Sequence, residues 1–217
     1  TPDSAGQTMG HEFIGVVEEV GSEVQKVTKG DFVISPFAWA DNTCPICRDG
    51  FQTACPHGGF FSAAQAEYVR VPQADGTLVV TEATDDEATL KSLLTLSDVY
   101  LTGYHAAFMA KVQPGQTVTV VGDGAVGLSA VLAAKTMGAE RIILMGRNTD
   151  RTDLGRRYGA TDVVAERGKT GIAQVRELTG GEGSHVVLEA VGHRPAYDQS
   201  VAVVRAGGVI SRVGVPQ

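Results

Sequence analysis

From residue 117 onward, short apolar runs and helical stretches take turns, and no other feature of the sequence limits the fold as strongly. Runs at 117–121, 141–145, 162–164, 185–188 and 208–213 read as strands, with helices at 125–137, 150–158, 171–178 and 196–204. Strands that are apolar throughout must be covered on both faces, and the intervening helices supply that cover. The reading is α/β, a doubly wound parallel sheet with five of the six strands of a complete domain. The first hundred residues differ in character. Runs at 13–20, 31–34 and 66–71 read as strands, broken by Gly21 and Gly30 and ended by Pro72. Residues 36–61, rich in Gly and Pro, read as loop. A β-rich domain over 1–99 and an incomplete α/β domain over 100–217 are expected.

Composition narrows the partners. Apolar residues make up 43% and charged residues 20%, as in an ordinary globular protein. A net charge of −7 without any basic block argues against nucleic acid, whose phosphates need a basic face. The most apolar stretch, 118–134, contains Gly122, Asp123, Gly124 and Gly127. It therefore reads as strand, turn and helix, and no membrane partner is expected. Residues 1–10 are polar and carry no leader pattern, so the cytoplasm is the expected compartment. The chain starts without Met and mid-pattern, and truncation at both ends is the expectation. Three cysteines cannot pair completely, and their close spacing suits a metal better than a disulfide framework.

Gly122-Asp123-Gly124-Ala125-Val126-Gly127 fits G-x-G-x-x-G. Alone the pattern is weak, but here it follows an apolar strand and opens an apolar helix. Gly122 would permit the tight turn, Gly124 a close approach of backbone to a pyrophosphate, and Gly127 close packing of helix on strand. The helix N-terminus would offer amides to the phosphates. The second strand ends Met145-Gly146-Arg147-Asn148, with Arg151 beyond. An NAD site usually carries a carboxylate there for the ribose hydroxyls. None is present, Gly146 leaves room, and Arg147 and Arg151 suit a 2′-phosphate, so NADP is favoured over NAD. The alternative is that both arginines are solvated surface charges.

Gly10-His11-Glu12, followed by Gly15, Gly21 and Val24, forms G-H-E-x2-G-x5-G-x2-V. This string resembles the zinc signature of the medium-chain alcohol dehydrogenase family at every fixed position. The resemblance implies a partial GroES-like catalytic domain followed by a Rossmann domain. It makes His11 a zinc ligand and places Glu12 beside the metal. The family sets another ligand four residues before a Thr-Gly pair, and Asp98 precedes Thr102-Gly103 by that interval. Asp98 is otherwise a helix cap. The family's remaining ligand, a Cys upstream of G-H-E, is absent from this chain. Cys44-x2-Cys47-x7-Cys55 resembles three of four positions of the family's structural-zinc lobe, with Asp41 where the fourth Cys would stand. Either Asp41 completes a zinc site with the thiols or it makes an Asx turn with Asn42. His57, His105, His185 and His193 lack any comparable frame and are read as structural.

The same resemblance implies reversible hydride transfer between a small-molecule alcohol, or its aldehyde or ketone, and NAD(P). Zinc would act as a Lewis acid. By carry-over, Val126 would lie behind the nicotinamide, and Val191 and Gly192 would line the cleft. Val213, Gly214 and Val215 would meet the carboxamide, with Thr102 touching it from the catalytic side. A homo-oligomer is implied for the full-length form. The other readings are a zinc-free quinone or enone reductase of the same superfamily and a non-catalytic NADP-binding relative. The aromatic residues Phe37, Trp39, Phe60, Phe61 and Tyr100 lean the substrate towards a non-sugar alcohol.

Overall fold

A computed structural model describes residues 6–216; residues 1–5 and 217, the outer ends of the two expected domains, lie outside the described residues. The chain divides into two compact units, Thr1–Asp98 and Val99–Gln217. None of the described helices is long and apolar enough to cross a membrane.

The first unit is built from short strands. β1 (Phe13–Val16) pairs antiparallel with β2 (Phe32–Ser35), Phe13 opposite Ser35. A two-stranded ribbon joins β3 (Ala38–Trp39) to β4 (Gly59–Phe60). Between them, the one-turn helix α1 (Pro45–Arg48) and a 3-10 turn at Gln52–Ala54 carry the cysteine lobe. The one-turn helix α2 (Ala74–Thr77) precedes β5 (Val79–Thr81), which pairs antiparallel with the far side of β2. α3 (Glu87–Leu94) starts at Asp86, whose carboxylate accepts the Thr89 amide at 2.8 Å, and a 3-10 turn at Thr95–Ser97 closes the unit. Three expectations are corrected here, the first being that residues 36–61, read as loop, carry β3, α1 and β4. The 13–20 run pairs only as far as Val16. The 66–71 run is not a strand, because none of the described strands pairs with it and Tyr68 stands 75% exposed.

The second unit opens with α4 (Val99–Met109) and then alternates. In order come β6 (Thr117–Val121), α5 (Ala125–Thr136), β7 (Arg141–Met145), α6 (Thr149–Tyr158) and β8 (Asp162–Val164). They are followed by α7 (Gly168–Leu178), β9 (Ser184–Glu189), α8 (Arg194–Val203) and β10 (Val204–Arg212). The strands form one parallel sheet in the order β10-β9-β6-β7-β8, a doubly wound arrangement with β6 at the centre. Side chains on a strand alternate between faces, and both faces here are apolar. Val118, Val120, Ile142, Leu144, Val186 and Leu188 fill one core, while Val121, Ile143, Met145 and Val187 fill the other. The α/β reading of this region therefore holds, including its count of five strands.

Candidate functional site

The glycine-rich turn leaves β6 at its buried C-terminal end. Gly122 adopts φ +115°, a backbone that side-chain-bearing residues rarely take. A Cβ on Gly127 would lie 2.0 Å from the Gly122 carbonyl oxygen, so α5 approaches the turn as only glycine allows. A Cβ on Gly124 would meet nothing within 4 Å. Gly124 caps α5 without any side-chain hydrogen bond, so the first-turn amides, those of Ala125 and Val126 included, point past a residue without a side chain. This is a cradle that a Cβ would fill, and it fits a pyrophosphate. Gly127→Ala is expected to destabilise the protein by about 1–3 kcal/mol through overpacking. It should also abolish dinucleotide binding, which a melting curve and a nucleotide titration on the same sample would show; unchanged affinity would refute the cradle.

Val191 and Gly192 follow β9, and Val213, Gly214 and Val215 follow β10. The two loops interlock: a Cβ on Gly192 would sit 1.9 Å from the Val215 oxygen, and one on Gly214 would sit 2.1 Å from the Gly192 nitrogen. Glu189, 0% exposed, organises them. Its Oε1 accepts the Val191 and Gly192 amides, each at 2.8 Å, and its Oε2 accepts Arg212 Nε at 3.1 Å. Glu189 was missed in the sequence, where the strand was read as ending at Leu188; the signal was an acid directly after Val186-Val187-Leu188.

The end of β7 differs from expectation in one respect. Gly146 does not leave open room: a Cβ there would lie 2.4 Å from the Asp123 Cβ. Asp123 reaches across from the glycine turn, and its Oδ2 accepts the Asn148 amide at 2.9 Å. Arg147 and Arg151 are exposed.

Two further groups of donor atoms lie in the first unit. His11, Glu12 and Asp98 bring one potential ligand atom each within 4.8 Å of one another. His11 Nε2 and Asp98 Oδ2 are 3.0 Å apart, with the imidazole 51% and the carboxylate 20% exposed. Gly10 makes the approach workable: it has φ +90°, and a Cβ there would strike the Gln65 backbone nitrogen at 2.9 Å. The Ala64 amide donates to the Gly10 carbonyl and the Gln65 amide to that of Met9, each at 3.0 Å, pinning the strand entry. On the other side, the Phe37 amide donates to the Ser97 carbonyl at 2.9 Å and holds the residue before Asp98. Phe37 also stands edge-on to the His11 ring, with centroids 6.4 Å apart, and stacks on Phe60. Thr102 lies in the first turns of α4, in the second unit. The Ser97 hydroxyl donates to the Leu94 carbonyl at 2.6 Å.

Asp41, Cys44, Cys47 and Cys55 form the other group, again within 4.8 Å, with all three thiols buried and unpaired with one another. Of the two readings of Asp41, the structure shows the turn. Its Oδ1 accepts the Thr43 and Cys44 amides at 2.8 and 3.0 Å, as in an Asx turn, while a carboxylate oxygen stays within reach of the sulfurs. His57, read as structural, donates from Nδ1 to Asp41 Oδ2. That bond, with the two amides, holds the Asp41 carboxyl well below the usual carboxylate range. Burial, with the adjoining Cys44 and Cys55 sulfurs, pushes the Cys47 thiol up to about 12. For Cys55, burial is outweighed by backbone groups of Asp41 and His57, and the thiol is drawn below its ordinary value. Three thiols and a carboxylate this close together are a donor set that a cation binding thiolates could use. His185 plays the structural part expected, its Nδ1 accepting the Thr117 amide at 3.1 Å.

A parallel doubly wound sheet with a glycine cradle, joined to a β-rich unit bearing two metal-donor groups, defines the chain as a dinucleotide-fold protein with the donors for divalent metal. Comparison with known proteins is specific. The family described as "Alcohol dehydrogenase GroES-like domain" matches residues 1–82, and "Zinc-binding dehydrogenase" matches 125–217. A medium chain reductase/dehydrogenase from an Acremonium species is 35% identical over 98% of this chain and 76% of its own. The zinc-type alcohol dehydrogenase B of Aspergillus flavus is 36% identical over 99% of this chain and 52% of its own. The solved alcohol dehydrogenase of Thermus sp. ATN1 superposes with a TM-score of 0.87 at 34% identity, covering 98% of this chain and 63% of that one. This chain belongs to the medium-chain zinc-type alcohol dehydrogenase family. It spans between about half and three quarters of the length of these relatives.

Proposed function

We propose that the full-length protein is an oxidoreductase that moves a hydride between an alcohol, or the matching aldehyde or ketone, and a nicotinamide dinucleotide. The observation that carries this reading is the convergence of His11, Glu12 and Asp98 in a chain that also builds the glycine cradle. An imidazole with carboxylates is a donor set that zinc accepts, and catalytic zinc keeps a position open. When bound, zinc supplies Lewis acidity that eases loss of the alcohol proton, and the dinucleotide supplies the hydride acceptor. His11 and Asp98 hold the metal, and Glu12 stands beside it. Phe37 and Phe60 give that neighbourhood an aromatic face, which favours a non-sugar alcohol. The amides at the start of α5 receive the pyrophosphate. Val126 backs the nicotinamide, while Val191, Gly192, Val213, Gly214 and Val215 line its pocket and Thr102 contacts it. Arg147 and Arg151 favour the 2′-phosphate of NADP. Asp41 and the three thiols hold a second, structural zinc, and the full-length protein is a homo-oligomer.

Metal analysis together with an alcohol-dependent assay of NADP reduction tests this reading. The expected result is reduction that is lost on chelation and restored by zinc, with about two zinc ions per chain when both donor sets are filled. Metal-free turnover of quinones, or dinucleotide binding without any turnover, would overturn it.

A further inference from the structure

An NAD-binding sheet ordinarily offers the adenosine ribose a carboxylate from the end of its second strand. In this chain that position is Gly146, and the next residue is the cation Arg147. The structure nevertheless brings a carboxylate to the end of β7. Asp123, the second residue of the glycine-rich turn, lays its side chain directly over Gly146. A Cβ at 146 would meet the Asp123 Cβ at 2.4 Å and its Cγ and Oδ2 at 2.8 Å. Two hydrogen bonds fix the arrangement: Gly122 donates to the Met145 carbonyl at 3.0 Å, and Asn148 donates to Asp123 Oδ2 at 2.9 Å. Gly146 is therefore glycine because the acid from the neighbouring turn fills the space a side chain would need. A carboxylate has about four acceptor sites, so one amide leaves capacity for a ligand.

We infer that Asp123 is the residue through which this chain recognises the adenosine ribose: its carboxylate accepts the ribose hydroxyls of NAD and opposes the 2′-phosphate of NADP. The inference rests on the dinucleotide-dependent reading above. Arg147 and Arg151 pull in the other direction from the same end of β7. Selectivity is then the difference between two opposed charge contributions, and Asp123 keeps NAD in competition with NADP.

The test is calorimetric titration of the full-length protein with NAD and, separately, NADP. Asp123→Asn keeps the size that packs on Gly146 and keeps an acceptor for the Asn148 amide, and removes only the charge. NAD is expected to weaken about tenfold and NADP to hold or tighten, so the ratio of the two Kd values moves about tenfold or more towards NADP. Arg147→Ala with Arg151→Ala, both at exposed positions, is expected to move the ratio the opposite way. Asp123→Ser, expected to move it as Asn does, serves if the Asn variant melts early. A ratio that stays within about twofold in the Asp123 variants, or NAD and NADP shifting together, would overturn the role given to Asp123 while leaving the dinucleotide reading in place. Failure of the unmodified protein to bind either nucleotide would overturn both.

Discussion

His11→Ala in the full-length protein is expected to lower kcat/KM by about three orders of magnitude or more, on the order of 4 kcal/mol of transition-state stabilisation. About one zinc ion per chain should be lost with it. Measured against the metal-free unmodified protein, stability should barely change. The imidazole is 51% exposed, and its contact with Asp98 is a surface ion pair at most, worth roughly 0–1 kcal/mol. Dinucleotide affinity should also survive, since the cradle around Gly122 and Gly127 belongs to the other unit. That combination separates a metal ligand from a structural histidine. A residue that merely held the loop would shift the melting temperature of the metal-free protein and leave zinc binding in place. Asp98→Asn should reproduce the loss with smaller metal depletion, because an amide oxygen still coordinates weakly. Should His11→Ala retain both its zinc and its turnover, the pairing with Asp98 is only a surface salt bridge and the metal reading fails.

The sheet was legible because its signal is local. β7 and β8 lie where their apolar runs place them, at Arg141–Met145 and Asp162–Val164. Burial on both faces leaves no polar alternation to blur such ends. α7 starts at Gly168, earlier than read, since Gly168-Lys169-Thr170 has no apolar periodicity to announce a helix. The 66–71 run shows the opposite limit. Its β-branched residues suit a strand, but a strand exists only through a partner, and pairing is not written in the segment itself. The same division runs through the candidate site. Spacing was enough to single out Cys44, Cys47 and Cys55, and the glycine frame was enough to single out His11. Yet Gly15 and Gly21 of that frame have nothing within 4 Å of a Cβ, so they carried recognition without a packing reason visible here. What escaped were side chains whose meaning depends on distant partners. His57 meets Asp41 across 16 residues and Asp123 meets Asn148 across 25. No local pattern marks such a meeting.

Glu189 also escaped, and its replacement should have the largest effect on stability. Its carboxylate is 0% exposed and engages two amides and Arg212, whose own side chain is 37% exposed. The Glu189 carbonyl also accepts the Val213 and Gly214 amides at 2.9 and 3.0 Å. One residue thus ties together the loops after β9 and β10. Glu189→Ala leaves a buried amide and a part-buried one without acceptors and Arg212 without its counter-charge, so a loss of about 3–5 kcal/mol is expected. Arg212→Ala should cost less, about 1–2 kcal/mol, because the carboxylate keeps both amides and the lost cation was partly solvated. Glu189→Gln should fall between them, since its amide oxygen can still accept from Val191 and Gly192. Denaturant unfolding of the three variants gives the ordering directly. The double variant Glu189→Ala with Arg212→Ala should be less destabilised than the sum, as expected for residues in contact. If Glu189→Ala unfolds at the same denaturant concentration as the unmodified protein, the carboxylate does not organise these loops. The backbone bonds from Val213 and Gly214 to the residue 189 carbonyl and the interlocked glycines, Gly192 and Gly214, would then carry the arrangement.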